Sequence, residues 1–436
     1  MIELILELLK EHQITEYLIQ ENSAESAELF FVRKKLDMHR EKKVTDWTVT
    51  VYREFQEEKE NAVRRMKGAS SVGIYSGMTR KEIERALLGA WESALYVKNP
   101  YYELPKGAAA ELAVVESSLN ECSLTEAAVS MAKALYASDT GEDAFINSSE
   151  IFAQLERRRI LSSGGVDVSY EKRTVNGEFV VQCREPQDVE MFHSFRYDGL
   201  DTDSLTKRAE EALRLIRLRS AAVWAPVKGS YTVLLTNPDV GDIFRYYLNR
   251  ASSSMIYTGY SSYAVGTQVQ GESAAGDRLS VELKADVPYS GEGIRMKDRA
   301  LLTDGRLETI WGGSRFAYYL GIEPTGEYAG IRVESGDRSV DDLIAGAIKE
   351  DGACLEVVSF SSFEMDPMSG HFGGEIRLAL LHEKEGVTPV TGGSVSGLIM
   401  EAHKAMYLSS ERRKNGRYDG PKAVLFKGIS VAGNEV

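Results

Sequence analysis

The chain opens on Met1-Ile2-Glu3-Leu4-Ile5-Leu6-Glu7-Leu8-Leu9, where acids break an otherwise apolar run. That pattern predicts an amphipathic helix, and without a basic start it is not that of a signal peptide. Two alternating segments follow, Glu28 to His39 and Asp46 to Phe55, rich in β-branched and aromatic residues. They predict strands paired as a hairpin across the charged stretch Arg40 to Lys43. Thr79-Arg80-Lys81-Glu82 is a capping box, with Met78 and Ile83 placed as a hydrophobic staple, and apolar residues then recur at helical spacing to Leu95. Ser123-Leu124-Thr125-Glu126 repeats the box and predicts a helix to about Tyr136. From Ile146 to Phe195 the texture turns to strand, with Ser162 to Gly165 and Asn176-Gly177 as turns, and a polar helix spans Ser204 to Arg219.

Trp224-Ala225-Pro226-Val227-Lys228-Gly229 marks the expected boundary between an N-terminal α+β unit, 1–220, and a strand-rich C-terminal unit, 221–436. Beyond it short strands, glycines and turns dominate. One helix there is well signposted. Tyr231 to Leu235 reads as a buried strand, Asn237 supplies an N-cap and Pro238 the favoured first helical position. Val240, Ile243, Phe244, Tyr247 and Leu248 then follow on one face. The fold class is α+β: an antiparallel sheet with helices, then a barrel-like or sandwich-like unit.

Composition narrows the function classes. The 436 residues are 43% hydrophobic and 27% charged, enough apolar material for real cores. A net charge of −14 argues against gripping nucleic acid, and the densest basic run, Arg157-Arg158-Arg159, reads as a solvated face. No run approaches the roughly 18–20 apolar residues that span a bilayer. Three scattered cysteines without CxxC pairing fit a reducing, cytoplasmic setting.

No active site is legible from residue patterns. The six histidines stand nowhere at helical metal-ligand spacing. His382-Glu383 begins like HExxH but continues to Gly386 and Val387, so it reads as a polar turn. Gly392-Gly393-Ser394-Val395-Ser396-Gly397 is a glycine-rich turn and not a serine elbow, phosphate loops are absent, and Cys354 reads as a buried strand cysteine.

A resemblance enters in the C-terminal half. Gly291-Glu292-Gly293 followed by Leu302 to Leu307 is similar to a segment of the TldD/PmbA (TldE) peptidase family in which an EG turn precedes a strand ending in DGxL. Gly321 to Gly326, Ser335 to Ile344, Ser369 to Gly374, Pro389-Val390 with Val395 to Leu398, and Gly428 to Gly433 resemble further family segments in the same order. His371 stands where the family usually has an acid. The family's TldD-type subunits hold zinc through HExxxH on the helix near the start of this unit, plus a later cysteine. Here Arg245, Tyr246 and Arg250 align with that motif, a one-residue slide giving Tyr246, Tyr247 and Ala251 is no better, and no cysteine follows Cys354. Arginine has no lone pair to give, and tyrosine is a poor carboxylate substitute.

The resemblance therefore implies a TldE/PmbA-type subunit with no catalytic or metal-binding residues and no activity alone. Zinc would sit in a TldD-type partner, and the pair would cut unfolded or flexible peptides. The alternative is a stand-alone peptide-binding or scaffold homodimer that shares the fold without proteolysis. The family's "modulator of DNA gyrase" label gains no support from the acidic composition.

Overall fold

The first apolar stripe folds as α1 (Ile2–Glu11), whose Ile5, Leu8 and Leu9 are buried. There follow β1 (Tyr17–Val32), β2 (Lys35–Lys59), β3 (Ala62–Tyr75), α2 (Arg80–Ser93), the short β4 (Ala113–Val114), α3 (Leu124–Tyr136), β5 (Ala144–Ser162), β6 (Asp167–Cys183), β7 (Val189–Tyr197) and α4 (Thr202–Ser220). The structure, a computed structural model, describes residues 1–59, 62–107, 109–225 and 229–433. The expected boundary at 220/221 falls at the end of α4; residues 226–228 of the expected linker lie outside the described residues.

The remainder runs as β8 (Val223–Trp224), β9 (Gly229–Leu235), α5 (Val240–Arg250), α6 (Ser253–Tyr257), β10 (Val281–Lys284), β11 (Arg299–Thr303), β12 (Arg306–Leu307), α7 (Ser314–Leu320), β13 (Gly330–Val333), α8 (Val340–Asp351), β14 (Ala353–Met365), β15 (His371–Glu383), β16 (Gly386–Thr391), β17 (Ser394–Leu398), α9 (Ile399–Ala402), β18 (Met406–Leu408), β19 (Arg412–Asn415), β20 (Tyr418–Pro421) and β21 (Val424–Ala432).

Three sheets organise these elements. The first runs β3-β2-β1-β5-β6, with β4 and β7 both joined to β6. It is a long antiparallel half-barrel except for the parallel β4–β6 pair. The α1 and α2 helices cover the β1–β3 part through Ile5, Leu9, Val49, Ile83 and Leu87, while α3 and α4 cover β5–β7. The second sheet runs β12-β11-β10-β13-β20-β19. In the third, β14-β9-β21-β17-β15 closes through the β14–β15 pair, giving a five-stranded barrel. The fold class expected from the sequence is the one observed, with 25% helix and 45% strand. No described helix is long and apolar enough to cross a membrane; this does not address spanning by strands.

Several local expectations are corrected. The first hairpin turns at Arg33-Lys34, with Arg33 at φ 56°, so 40–43 lies within β2. Its charges serve cross-strand pairing: Lys43 meets Glu25 at 2.8 Å, and Arg40 Nε donates to Glu28 at 2.6 Å. Asn176-Gly177 is likewise inside a strand, β6, and not a turn. A Cβ on Gly177 would press on the Phe195 ring at 2.7 Å, so the glycine permits close packing there. Arg157 and Arg159, by contrast, stand 46% and 42% exposed on β5 as a solvated face requires, and pair there with Glu171 at 3.0 Å and Asp167 at 2.9 Å.

The two halves of the chain share a tight seam. Lys67 of β3 is fully buried, with its Nζ 2.8 Å from Glu16 and 3.4 Å from Glu54, and it sits over the rings of Tyr101 and Tyr102. Those tyrosines meet Tyr318 and Tyr319 of α7 edge-on, at 6.0 and 6.1 Å between centroids. Gln20 donates to the Gly291 carbonyl at 2.6 Å, and Tyr319 to that of Pro100 at 2.6 Å. Val358 of β14 and Leu378 and Leu380 of β15 belong to the same apolar core as α3 and α4.

Candidate functional site

Helix α5 is sunk into the protein. Val240, Ile243, Phe244, Tyr247 and Leu248 are buried as their spacing predicts, and Gly241 and Tyr246 are buried too. Gly241 lets the Tyr418 ring approach, since a Cβ would meet it at 2.9 Å. The helix begins at Val240, later than expected. Asn237 does not cap it; its amide donates to the Asp239 carboxylate at 3.0 Å.

The three positions aligned with the family's metal motif separate in space. Arg245 is on the open side, 44% exposed, 3.4 Å from Asp242. Tyr246 points inward at 2% exposure, and its hydroxyl donates to the Met400 sulfur at 3.3 Å. Burial pushes this phenol's pKa up, with Arg250 opposing. Arg250, the last residue of α5, donates to the carbonyls of Tyr260 and, at 3.3 Å, Met368. Its guanidinium lies 5.8 and 5.6 Å from the ring centroids of Tyr246 and Tyr263. Tyr246 and Arg250 thus share a site, and Arg245 does not.

Opposite them is the turn from Asp366 to Gly370. Asp366 accepts from the Met368 amide at 2.8 Å, and the hydroxyl of Ser369 and that amide hold its carboxyl below the usual carboxylate range. Gly370 has φ 76°, and its carbonyl accepts from the Ile399 amide at 2.8 Å. Around this junction stand four exposed apolar side chains, Tyr260, Met368, Leu398 and Met400. Sequence reasoning missed all four, because they come from loops and short elements brought to α5 only by folding. Methionine is soft and conformationally adaptable, so such a rim can pack against apolar groups of differing shape.

Two of the histidines are occupied elsewhere. His403 is buried, its Nδ1 3.0 Å from the Tyr247 hydroxyl. His382 lies at the end of β15 and not in a turn, 2.8 Å from Glu356, which also accepts from Thr236 at 2.9 Å. Burial works against ionisation of Glu356, but these two hydrogen bonds and the neighbouring charges hold its pKa below normal. Cys354 is fully buried, and burial together with Glu356 pushes its thiol up to about 12. Among the described residues no three His, Cys, Asp or Glu side chains come together as a metal site.

Residues 228–433 match the family model described as the PmbA/TldA metallopeptidase C-terminal domain. The C-terminal half of the chain thus resembles the C-terminal domain of the PmbA/TldD family. In fold the whole chain is similar to TldE from Thermococcus kodakarensis, with TM-score 0.74 and 16% identity over 99% of this chain and 100% of that one. It is similar also to a candidate modulator of a DNA gyrase from Thermotoga maritima, with TM-score 0.76 and 16% identity over 99% of both chains. A third such protein, from Bacteroides thetaiotaomicron, gives TM-score 0.76 and 17% identity over 99% of this chain and 98% of that one. No curated protein matches. The zinc that a match to a metallopeptidase domain implies does not fit the aligned α5 positions: Arg245 and Arg250 offer hydrogen-bond donors where a cation needs electron pairs, and the Tyr246 phenol is buried and donates to Met400.

Proposed function

We propose that this chain is the non-catalytic, TldE/PmbA-type subunit of a two-component peptidase acting on unfolded or flexible peptides in the cytoplasm. The observation that carries the reading is the chemistry of α5. Where the family's zinc motif aligns, Arg245 is exposed, Tyr246 is tied to Met400, and Arg250 is tied to two backbone carbonyls. Zinc and its base then belong to a TldD-type partner. The rim of Tyr260, Met368, Leu398 and Met400 supplies an apolar face for the peptide or for that partner. On this reading the chain divides at 220/221 into an N-terminal unit and the C-terminal family unit.

The test is zinc content and cleavage of an unfolded peptide by the purified chain, alone and mixed with a TldD-type subunit from the same cell. Zinc and cleavage in the mixture only are expected. Stoichiometric zinc or turnover by the chain alone overturns the reading. Peptide binding with no cleavage in either sample points instead to a stand-alone peptide-binding homodimer.

A further inference from the structure

At the opposite end of α5 from that rim, a cavity of about 280 Å³ opens between α4, β7, β14 and β19, and a second of about 300 Å³ adjoins it. These volumes lie near the roughly 300 Å³ at which small-molecule pockets begin. The first is lined by Lys207, Arg208, Arg412, Arg413, Lys414 and Lys422 against one acid, Glu211. Asp239 adds a second carboxylate on the adjoining wall. Such a concentration of cations is out of keeping with a chain of net charge −14.

The pairing of these cations matters more than their number. Arg412 is satisfied by Asp419 at 2.7 Å, and Lys422 lies 3.9 Å from Glu211. Lys207, Arg208, Arg413 and Lys414 have no ion pair among the described residues. Arg208 reaches neutral oxygens, that of Asn415 at 3.2 Å and the Tyr197 hydroxyl, and Arg413 donates to the Thr236 carbonyl at 2.6 Å. Burial lowers the pKa of both guanidiniums; Arg413 lowers that of Arg208 further, while Glu211 opposes the shift at both and Asp239 at Arg413. A guanidinium does not discharge, so two half-buried guanidiniums with no carboxylate in ion-pair contact are a standing cost that Glu211 and Asp239 offset only in part. The Nε2 of His193, on the same wall, is buried with no hydrogen-bond partner. Burial first, then the fields of Arg208 and Arg413, hold that imidazole down to about 3.

We propose that this cavity is a binding site for a compact, multiply charged oxyanion, held by the forks of Arg208 and Arg413 with Lys207 and Lys414 at its mouth. A planar fork matches two oxygens of a phosphate or carboxylate, which a lysine does not. Because α4 and β7 come from one half of the chain and β19 from the other, the anion links the two halves. The site lies apart from α5's C-terminal end, so it stands whether or not the chain is a peptidase subunit.

The test is calorimetric titration of the full chain with inorganic phosphate, citrate and ADP, each against chloride at matched ionic strength. Saturable binding of at least one is expected: phosphate alone means a free ion, ADP far above phosphate a nucleotide, and citrate above both a polycarboxylate. Arg208→Gln and Arg413→Gln should each weaken it about tenfold or more, the worth of one charge-assisted hydrogen bond. Should either variant fail to fold, the His193 ring resonance in the unaltered chain gives the second readout. Its titration midpoint should move upward on anion addition. No saturable binding of any of the three over chloride, or a His193 midpoint that does not move, overturns the proposal.

Discussion

The Tyr247 hydroxyl stands 3.0 Å from Nδ1 of His403, and the two rings stack within 14° of parallel. Both side chains are buried, and Tyr247 is pushed well above the usual phenol range by that burial. Burial and then the nearby Lys404 hold His403 down to about 4, against 6.5 for a free imidazole. The unfolded chain therefore binds this proton first as pH falls. Stability from His403 is fully present above pH 6.5 and is lost as pH drops toward 4, by up to about 3 kcal/mol. His403→Gln should flatten the fall in melting temperature over that window. An unchanged slope in the variant sinks the assignment.

Gly370 should not tolerate a side chain. Its φ of 76° is one that other residues rarely adopt, and a Cβ would meet Ile399 at 2.9 Å and Tyr246 at 3.4 Å. Gly370→Ala should cost about 1–3 kcal/mol in urea unfolding. The loss should be accompanied by faster amide exchange at Ile399, whose amide donates to the Gly370 carbonyl.

Arg245 and Arg250 should behave oppositely. Arg245 is exposed with one ion pair at its own helix surface, so Arg245→Ala should stay within about 0.5 kcal/mol of the parent. Arg250→Ala frees two carbonyls and two aromatic faces, and should cost about 1–2 kcal/mol and loosen residues 366–370. Equal effects from both would refute the placement. If the peptidase-subunit reading holds, Arg250→Ala should also lower cleavage by the mixed complex.

Lys67 offers a test of the seam. Lys67→Met keeps the stem packed but removes the charge shared by Glu16 and Glu54. Both carboxylates are about one-third exposed and can rehydrate, so a loss of about 1–3 kcal/mol is expected. A variant as stable as the parent would show the pair to be energetically idle.

The cysteines should separate by reactivity. Cys354 is fully buried with its thiol raised to about 12, whereas Cys122 is only half-buried. Maleimide at pH 8 should label Cys122 in the native chain and Cys354 only in denaturant.

Elements governed by local chemistry were legible. The Thr79 and Ser123 boxes both form, each with its glutamate returning to the cap amide, and the α5 stripe is buried where spacing predicts. Local reading failed where partners are distant. Arg40 to Lys43 resembles a turn until Glu25 and Glu28 are set beside it across β1. Asn176-Gly177 has a turn's composition, yet the glycine serves the approach of Phe195 on β7. The α5 site is the extreme case. Tyr246 could be named from the sequence, but Met400 lies 154 residues away and carries no motif, so only the fold joins them. The Arg208–Arg413 cavity was invisible for the same reason, since its two arginines sit in different halves of the chain.

The seam has an evolutionary consequence. Its contacts pair Lys67 with Glu16 within one half, but Tyr101 and Tyr102 with α7, and α3 and α4 with Val358, Leu378 and Leu380, across halves. Neither half presents a finished surface alone, so a recombinant joining residues 1–220 of one relative to the remainder of another would bring together faces never selected to fit. The two halves are bound to drift as a couple, each substitution along the join constraining what its opposite can become.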